Sequence, residues 1–143
     1  MSKTTDTLTT VLADTYALGV KTHAAHWNLT GPHFASLHGL FGSQYEALLD
    51  AADELAERIR ALGDKAPRGL ASLAKTTSIQ ETKATDGLDL AKALRDDHRA
   101  LSKLCAKAVK TAQDAGDEAT ADLLIGRIEA HDKTAWMLDA SLA

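Results

Sequence analysis

The sequence predicts an all-α protein built as a bundle of four long helices. Three observations lead there. Helix formers dominate the composition, with many Ala and Leu, aromatics at only 4%, and Pro32 and Pro67 as the two prolines. Apolar residues recur at helical spacing along four long stretches. Breaks carrying glycine or aspartate separate these stretches in a short, long, short order. At 143 residues the chain reads as a single domain, residues 1–143, that can bury a core without metal or disulfide support.

The first helix is predicted from about Thr5 to Leu29, with Leu8, Val11, Leu12, Leu18 and Trp27 among its apolar residues. Thr30-Gly31-Pro32 ends it, glycine permitting an αL exit and proline able to open the next helix. The second is predicted from about His33 to Leu62. Phe34, Leu37, Phe41, Leu48, Leu55, Ile59 and Leu62 form one apolar stripe along it, and Gly63 stops it. A long connection follows, Asp64 to Thr85, in which Leu70 to Ala74 is expected to form one short helix. Asp86 is a suitable N-cap for the third long helix, with Leu90, Leu94, Leu101, Cys105 and Ala108 on one face. Gly116 closes it, and Asp117 caps the fourth, which carries Leu124, Ile128, Ala135 and Leu138. These links describe a ferritin-like four-helix bundle, with a short extra helix in the long crossover between the second and third long helices.

Charge and cysteine content narrow the function classes. A net charge of -4 gives no whole-molecule attraction to nucleic acid or to an anionic membrane. Cys105 stands alone, which excludes an intrachain disulfide and suits a reducing compartment. Met1 to Leu12 has no apolar signal-peptide core, and no segment approaches the ~20 apolar residues of a membrane span. The expectation is a cytoplasmic protein.

The histidines and carboxylates suggest a metal site. A di-iron centre inside one bundle would need a Glu-x-x-His on each of two helices, and the chain has none. Another constellation remains. His26 and His38 lie about equally far from the Gly31-Pro32 turn, so in an antiparallel hairpin their imidazoles share one height. Asp53 and Glu57, four residues apart, project from one helix face. Two imidazoles and two carboxylates suit Fe(II). His38 and Asp53, however, are fifteen residues apart, roughly 22 Å along a helix. They cannot touch one ion within a chain. Two copies of the second helix packed antiparallel about a two-fold axis would bring His38 of one beside Asp53 and Glu57 of the other. Taken singly, the histidines also read as ordinary polar residues near helix ends and the acids as a solvated face; the joint geometry weakens both readings.

His26-Trp27-Asn28-Leu29-Thr30-Gly31, Phe34, Leu37-His38, Asp53-Glu54-Leu55-Ala56-Glu57-Arg58-Ile59 and Leu62-Gly63 resemble the signature of the Dps (DNA-binding protein from starved cells) or mini-ferritin family. The similarity continues through Thr120 to Leu124 and His131 to Leu138, covering nearly the whole chain in order. The resemblance implies a dodecameric homo-oligomer with a hollow interior. Its ferroxidase sites would hold two iron ions each, with His26 and His38 from one subunit and Asp53 and Glu57 from its neighbour. It implies hydrogen peroxide as oxidant in preference to dioxygen, and storage of the Fe(III) product as mineral, protecting against oxidative damage. Trp27 would lie near the site as a possible electron donor or as a packing aromatic. Asp122 matches a position lining a three-fold pore, with Asp117 and Glu118 as weaker extensions of that ring.

Two features depart from the family pattern. Gly42 stands where a ligating carboxylate is common, so one of the two iron positions is expected to be weak. Lysine-rich tails are absent: only Lys3 precedes the first helix. Lys92, Arg95, Arg99, Lys103, Lys107 and Lys110 form a stripe on the third long helix, but Asp96 and Asp97 interrupt it. DNA binding is therefore not expected. The rival functions are a DNA-compacting structural protein and a shell that binds divalent metal without turnover. His98 on the apolar seam and Cys105 read as core residues, His33 as a surface or capping residue, and His131 shows no partner at metal spacing.

Overall fold

A computed structural model describes residues 2–143. Five helices follow one another: α1 Lys3–Asn28, α2 Phe34–Ala61, α3 Leu70–Thr76, α4 Gly87–Asp114 and α5 Glu118–Ala140. The four long ones are those the periodicity predicts, with ends shifted by a residue or two. α1 starts earlier because Ser2 caps it, its hydroxyl accepting from the Thr5 amide while Thr5 bonds back to the Ser2 amide. Pro32 does not open α2; His33 occupies the cap position, without a capping side-chain bond. Asp86 and Asp117 cap α4 and α5 as expected, accepting from the amides of Leu88 and Asp89 and of Thr120. Gly116 ends α4 at φ 76°, a conformation that L side chains rarely adopt.

Two antiparallel hairpins, α1 with α2 and α4 with α5, pack together chiefly along α1 and α4. Thr30 forms a parallel bridge with Asp86: its amide donates to the Thr85 carbonyl at 2.8 Å, and its carbonyl accepts from Gly87 at 3.2 Å. The start of α4 therefore lies at the same end of the bundle as the start of α2. The crossover must travel back along α2, a helix of 28 residues, or about 42 Å. Asp14 holds it in place. This carboxylate is 4% exposed and accepts from the Thr77 hydroxyl, the Ser78 amide and the Ser78 hydroxyl, all within 2.8 Å.

The interior contains two apolar clusters. Leu18, Phe41, Leu94 and Leu101 lie in the one nearer the α1–α2 turn. Leu8, Leu55, Ile59 and Leu124 lie in the other. Full burial of such side chains contributes about 1.5–3 kcal/mol each. Buried polar residues interrupt this core, including Thr22, Gln44, His98 and His131. The Lys21–Asp97 ion pair at 2.7 Å joins α1 to α4 one residue from His98.

Candidate metal centre

The α1–α2 hairpin brings His26 and His38 to one height, as the turn geometry predicts. The His26 Nδ1–H donates to the carbonyl of His38 at 2.6 Å, and the His38 Nδ1–H donates to the carbonyl of His26 at 2.7 Å. A carbonyl only accepts, so each neutral ring carries its proton on Nδ1. Each Nε2 keeps its lone pair, the state a metal ligand requires, and the second-nitrogen bond orients the ring. The two imidazoles stack with centroids 3.7 Å apart and planes 12° apart. Both are half-buried.

Asp53 and Glu57 are exposed on α2. A hydrogen bond that protonated Glu57 can donate to Asp53, followed by repulsion from the Asp53 charge, raises the Glu57 carboxyl above its ordinary value. The two acids share one face of α2 a turn apart, and a divalent cation beside them would relieve their repulsion. Among the described residues, no three His, Cys, Asp or Glu side chains of this one chain converge on a point that could hold a metal. The imidazole pair and the acid pair are separate units, as the rise per residue requires.

Sequence reasoning placed Trp27 near the imidazoles but left His23 unassigned. The His23 ring stacks on Tyr45 with centroids 3.9 Å apart and lies 4.1 Å from the Trp27 ring, one turn before His26. The i, i+3 spacing of His23 and His26 was the available signal. Trp27 is 62% exposed in the single chain. Asp122 is exposed on α5, whereas Asp117 is engaged by Thr120 and by Arg58 at 3.0 Å. Its carboxylate caps α5 and pairs with Arg58. His131 also departs from expectation: it has a histidine partner, the His98 Nδ1 at 2.9 Å, supplied by the facing helix.

Four long helices with one bundle-length crossover, bearing imidazole and carboxylate units on α1 and α2, define a ferritin-like protein. A ferritin-like domain family model matches residues 5–143. The chain is 33% identical over 143 residues to the DNA protection during starvation protein of Helicobacter pylori, covering 99% of both chains. It superposes on a Dps protein from Bacillus brevis with a TM-score of 0.95, 31% identity and full coverage of both. The Vibrio cholerae Dps structure, described as belonging to a broad superfamily of ferritin-like diiron-carboxylate proteins, gives a TM-score of 0.94 at 32% identity. That match covers 99% of this chain and 89% of the other. The chain belongs to the Dps, or mini-ferritin, family.

Proposed function

We propose that this protein is a ferroxidase and iron store that oxidises Fe(II) at sites between subunits and holds the Fe(III) product as mineral inside a dodecameric shell. The observation that carries this reading is the reciprocal bonding of His26 and His38, which leaves two Nε2 lone pairs free. The Asp53–Glu57 pair lies too far along the same helix to join them. Two copies of α2 packed antiparallel would complete the set twice. His26 and His38 would bind the ion through nitrogen and fix its position, while Asp53 and Glu57 from the neighbour would balance its charge. Glu57 would be the candidate to share its two carboxylate oxygens between two ions.

Iron is the substrate. Two Fe(II) each give one electron to one hydrogen peroxide, which takes two protons and leaves as two waters. A paired two-electron transfer avoids the hydroxyl radical that single-electron reduction of peroxide releases. Membership of the family favours peroxide over dioxygen. Val20, Trp27 and Leu70 are exposed apolar residues on the α1 and crossover side, and a second copy packed there would cover them. Twelve subunits of 15.2 kDa give about 182 kDa. Among the described residues, no helix is long and apolar enough to cross a membrane, and a cytoplasmic shell accords with the lone buried thiol.

Stopped-flow absorbance after mixing anaerobic Fe(II)-loaded protein with peroxide tests the reading. Wild type should show a rapid ferric signal. His38→Ala, at unchanged particle mass, should slow it by about two orders of magnitude, in line with loss of a first-sphere ligand group. Equal rates would exclude the imidazole pair. Metal binding without any ferric signal would favour the shell that holds divalent ions without turnover.

The Helicobacter relative is named for DNA protection, and a DNA-compacting structural role is the second reading. In this chain the α4 stripe is partly neutralised: Arg95 bonds Asp139 at 2.7 Å and Asp96 at 3.1 Å, and Asp114 lies 3.9 Å from Lys110. A gel-shift assay at moderate salt should show no retarded DNA; a complex there would favour compaction.

A further inference from the structure

The unpartnered polar atoms inside the bundle are not scattered. Among the described residues, the buried side-chain atoms without a hydrogen-bond partner are both amide atoms of Gln44, Nε2 of His98, Nε of Arg127 and one oxygen of Asp97. The last is ion-paired with Lys21 at 2.7 Å. The others lie at one level. In an antiparallel helix pair, a step forward on one helix is a step back on the other. His26 meets His38, so Val20 of α1 stands level with Gln44 of α2. Lys21 meets Asp97, so Val20 also stands level with His98 of α4. His98 bonds His131 of α5, and Arg127 reaches along α5 to His131 at 3.2 Å, which brings its guanidinium into the same layer. Gln44 and His98 are only 8% and 2% exposed. With neighbouring helix axes about 8–10 Å apart, polar groups buried at one level share the centre of the bundle.

What this layer lacks is an acceptor. Arg127 donates to His131 Nε2 and His131 to His98 Nδ1, so His98 presents an N–H at Nε2. Together with the Arg127 Nε–H and the two amide hydrogens of Gln44, four N–H bonds face one acceptor, the Gln44 Oε1. The layer also carries a positive charge. Among the described residues Arg127 forms no ion pair. The groups around it are neutral: burial pushes His98 down to about 3, His131 down to about 2 and the Cys105 thiol up to about 11. The guanidinium repels a cation, and water alone would leave its charge uncompensated. A small anion satisfies both the charge and the free N–H groups. Arg127 is half-buried, so the layer reaches the surface along its side chain.

We propose that this layer is a binding site for one small monovalent inorganic anion, of the size of chloride, held by the Arg127 guanidinium and by the free N–H groups of His98 and Gln44. The inference is independent of the metal-centre reading.

The width of the chloride magnetic resonance tests it on the assembled protein, because exchange with a bound ion on a large particle broadens the signal of the free ion. Wild type should give a broadening that saturates and that bromide displaces. Arg127→Leu removes the charge and should lower the affinity by at least about tenfold, at unchanged particle mass. Gln44→Leu leaves the charge and should cost about tenfold as well. Crystals of wild type soaked in bromide give a readout that needs no variant: the anomalous signal should place one ion per chain in the layer. Equal, unsaturable broadening by wild type and Arg127→Leu would overturn the inference, as would a layer that holds only ordered water in the bromide-soaked crystals.

Discussion

Arg127, His131 and His98 form a directed chain of donors through the middle of the bundle. The Arg127 guanidinium donates to His131 Nε2 at 3.2 Å, which leaves the His131 proton on Nδ1. That proton goes to His98 Nδ1 at 2.9 Å, so His98 carries its own on Nε2. Among the described residues this buried nitrogen has no hydrogen-bond partner. Burial, then the Arg127 charge, pushes His98 down to about 3 from an ordinary 6.5. Burial, His98 and Arg127 push His131 down to about 2. Between pH 6.5 and these values the unfolded chain binds protons that the folded one refuses. The stability that the neutral pair contributes is therefore complete above pH 6.5 and is lost as the pH falls. By pH 5 each imidazole should account for about 2 kcal/mol. Urea melts at pH 7.5 and pH 5 should show this loss, and the His98→Leu/His131→Leu double variant should flatten the difference. An unchanged pH dependence in that variant would mean that other groups govern acid sensitivity.

Helix ends and the crossover set the next level of organisation. The caps are local in sequence and were readable there, but the crossover is held by a residue far from it. Asp14, in the middle of α1, satisfies three donors at the end of α3. Asp14→Ala would leave the Ser78 amide and two hydroxyls without their acceptor, an expected loss of about 1–3 kcal/mol. Amide exchange at Ser78 should quicken more than exchange along α4. Uniform destabilisation in every helix, with no excess at Ser78, would show that Asp14 does not anchor this segment. A second distant tie joins α2 to α5: Arg58 reaches the Asp117 cap at 3.0 Å and the Thr120 hydroxyl at 2.9 Å.

At the scale of the whole molecule, the proposed chemistry depends on assembly. The α1 and crossover side carries a cavity of about 470 Å³ lined by Val20, Leu70, Leu73 and Ile79, and Leu70 is 73% exposed. An exposed substitution there should change the stability of the single chain by less than about 0.5 kcal/mol. If a second copy packs on this side, Leu70→Asp should place a charge in the contact and lower the particle mass below the assembled value. Fe(II) oxidation should fall with it, because the acid pair would no longer face the imidazoles. Light scattering combined with the stopped-flow assay would check both effects together. A dissociated chain that oxidises Fe(II) at the assembled rate would refute the shared site.

Helix periodicity, capping aspartates and the lengths of the links determined the bundle from the sequence alone, because each is written within a few residues of chain. The same local rules singled out His26, His38, Asp53 and Glu57 as candidate ligands and separated them into two units. Only the tertiary structure paired His98 with His131 across 33 residues and Asp14 with Ser78 across 64. Those contacts depend on how far apart two helices pack and how each is rotated about its axis. Side-chain packing over the whole core sets these quantities, and no single period in the sequence encodes them.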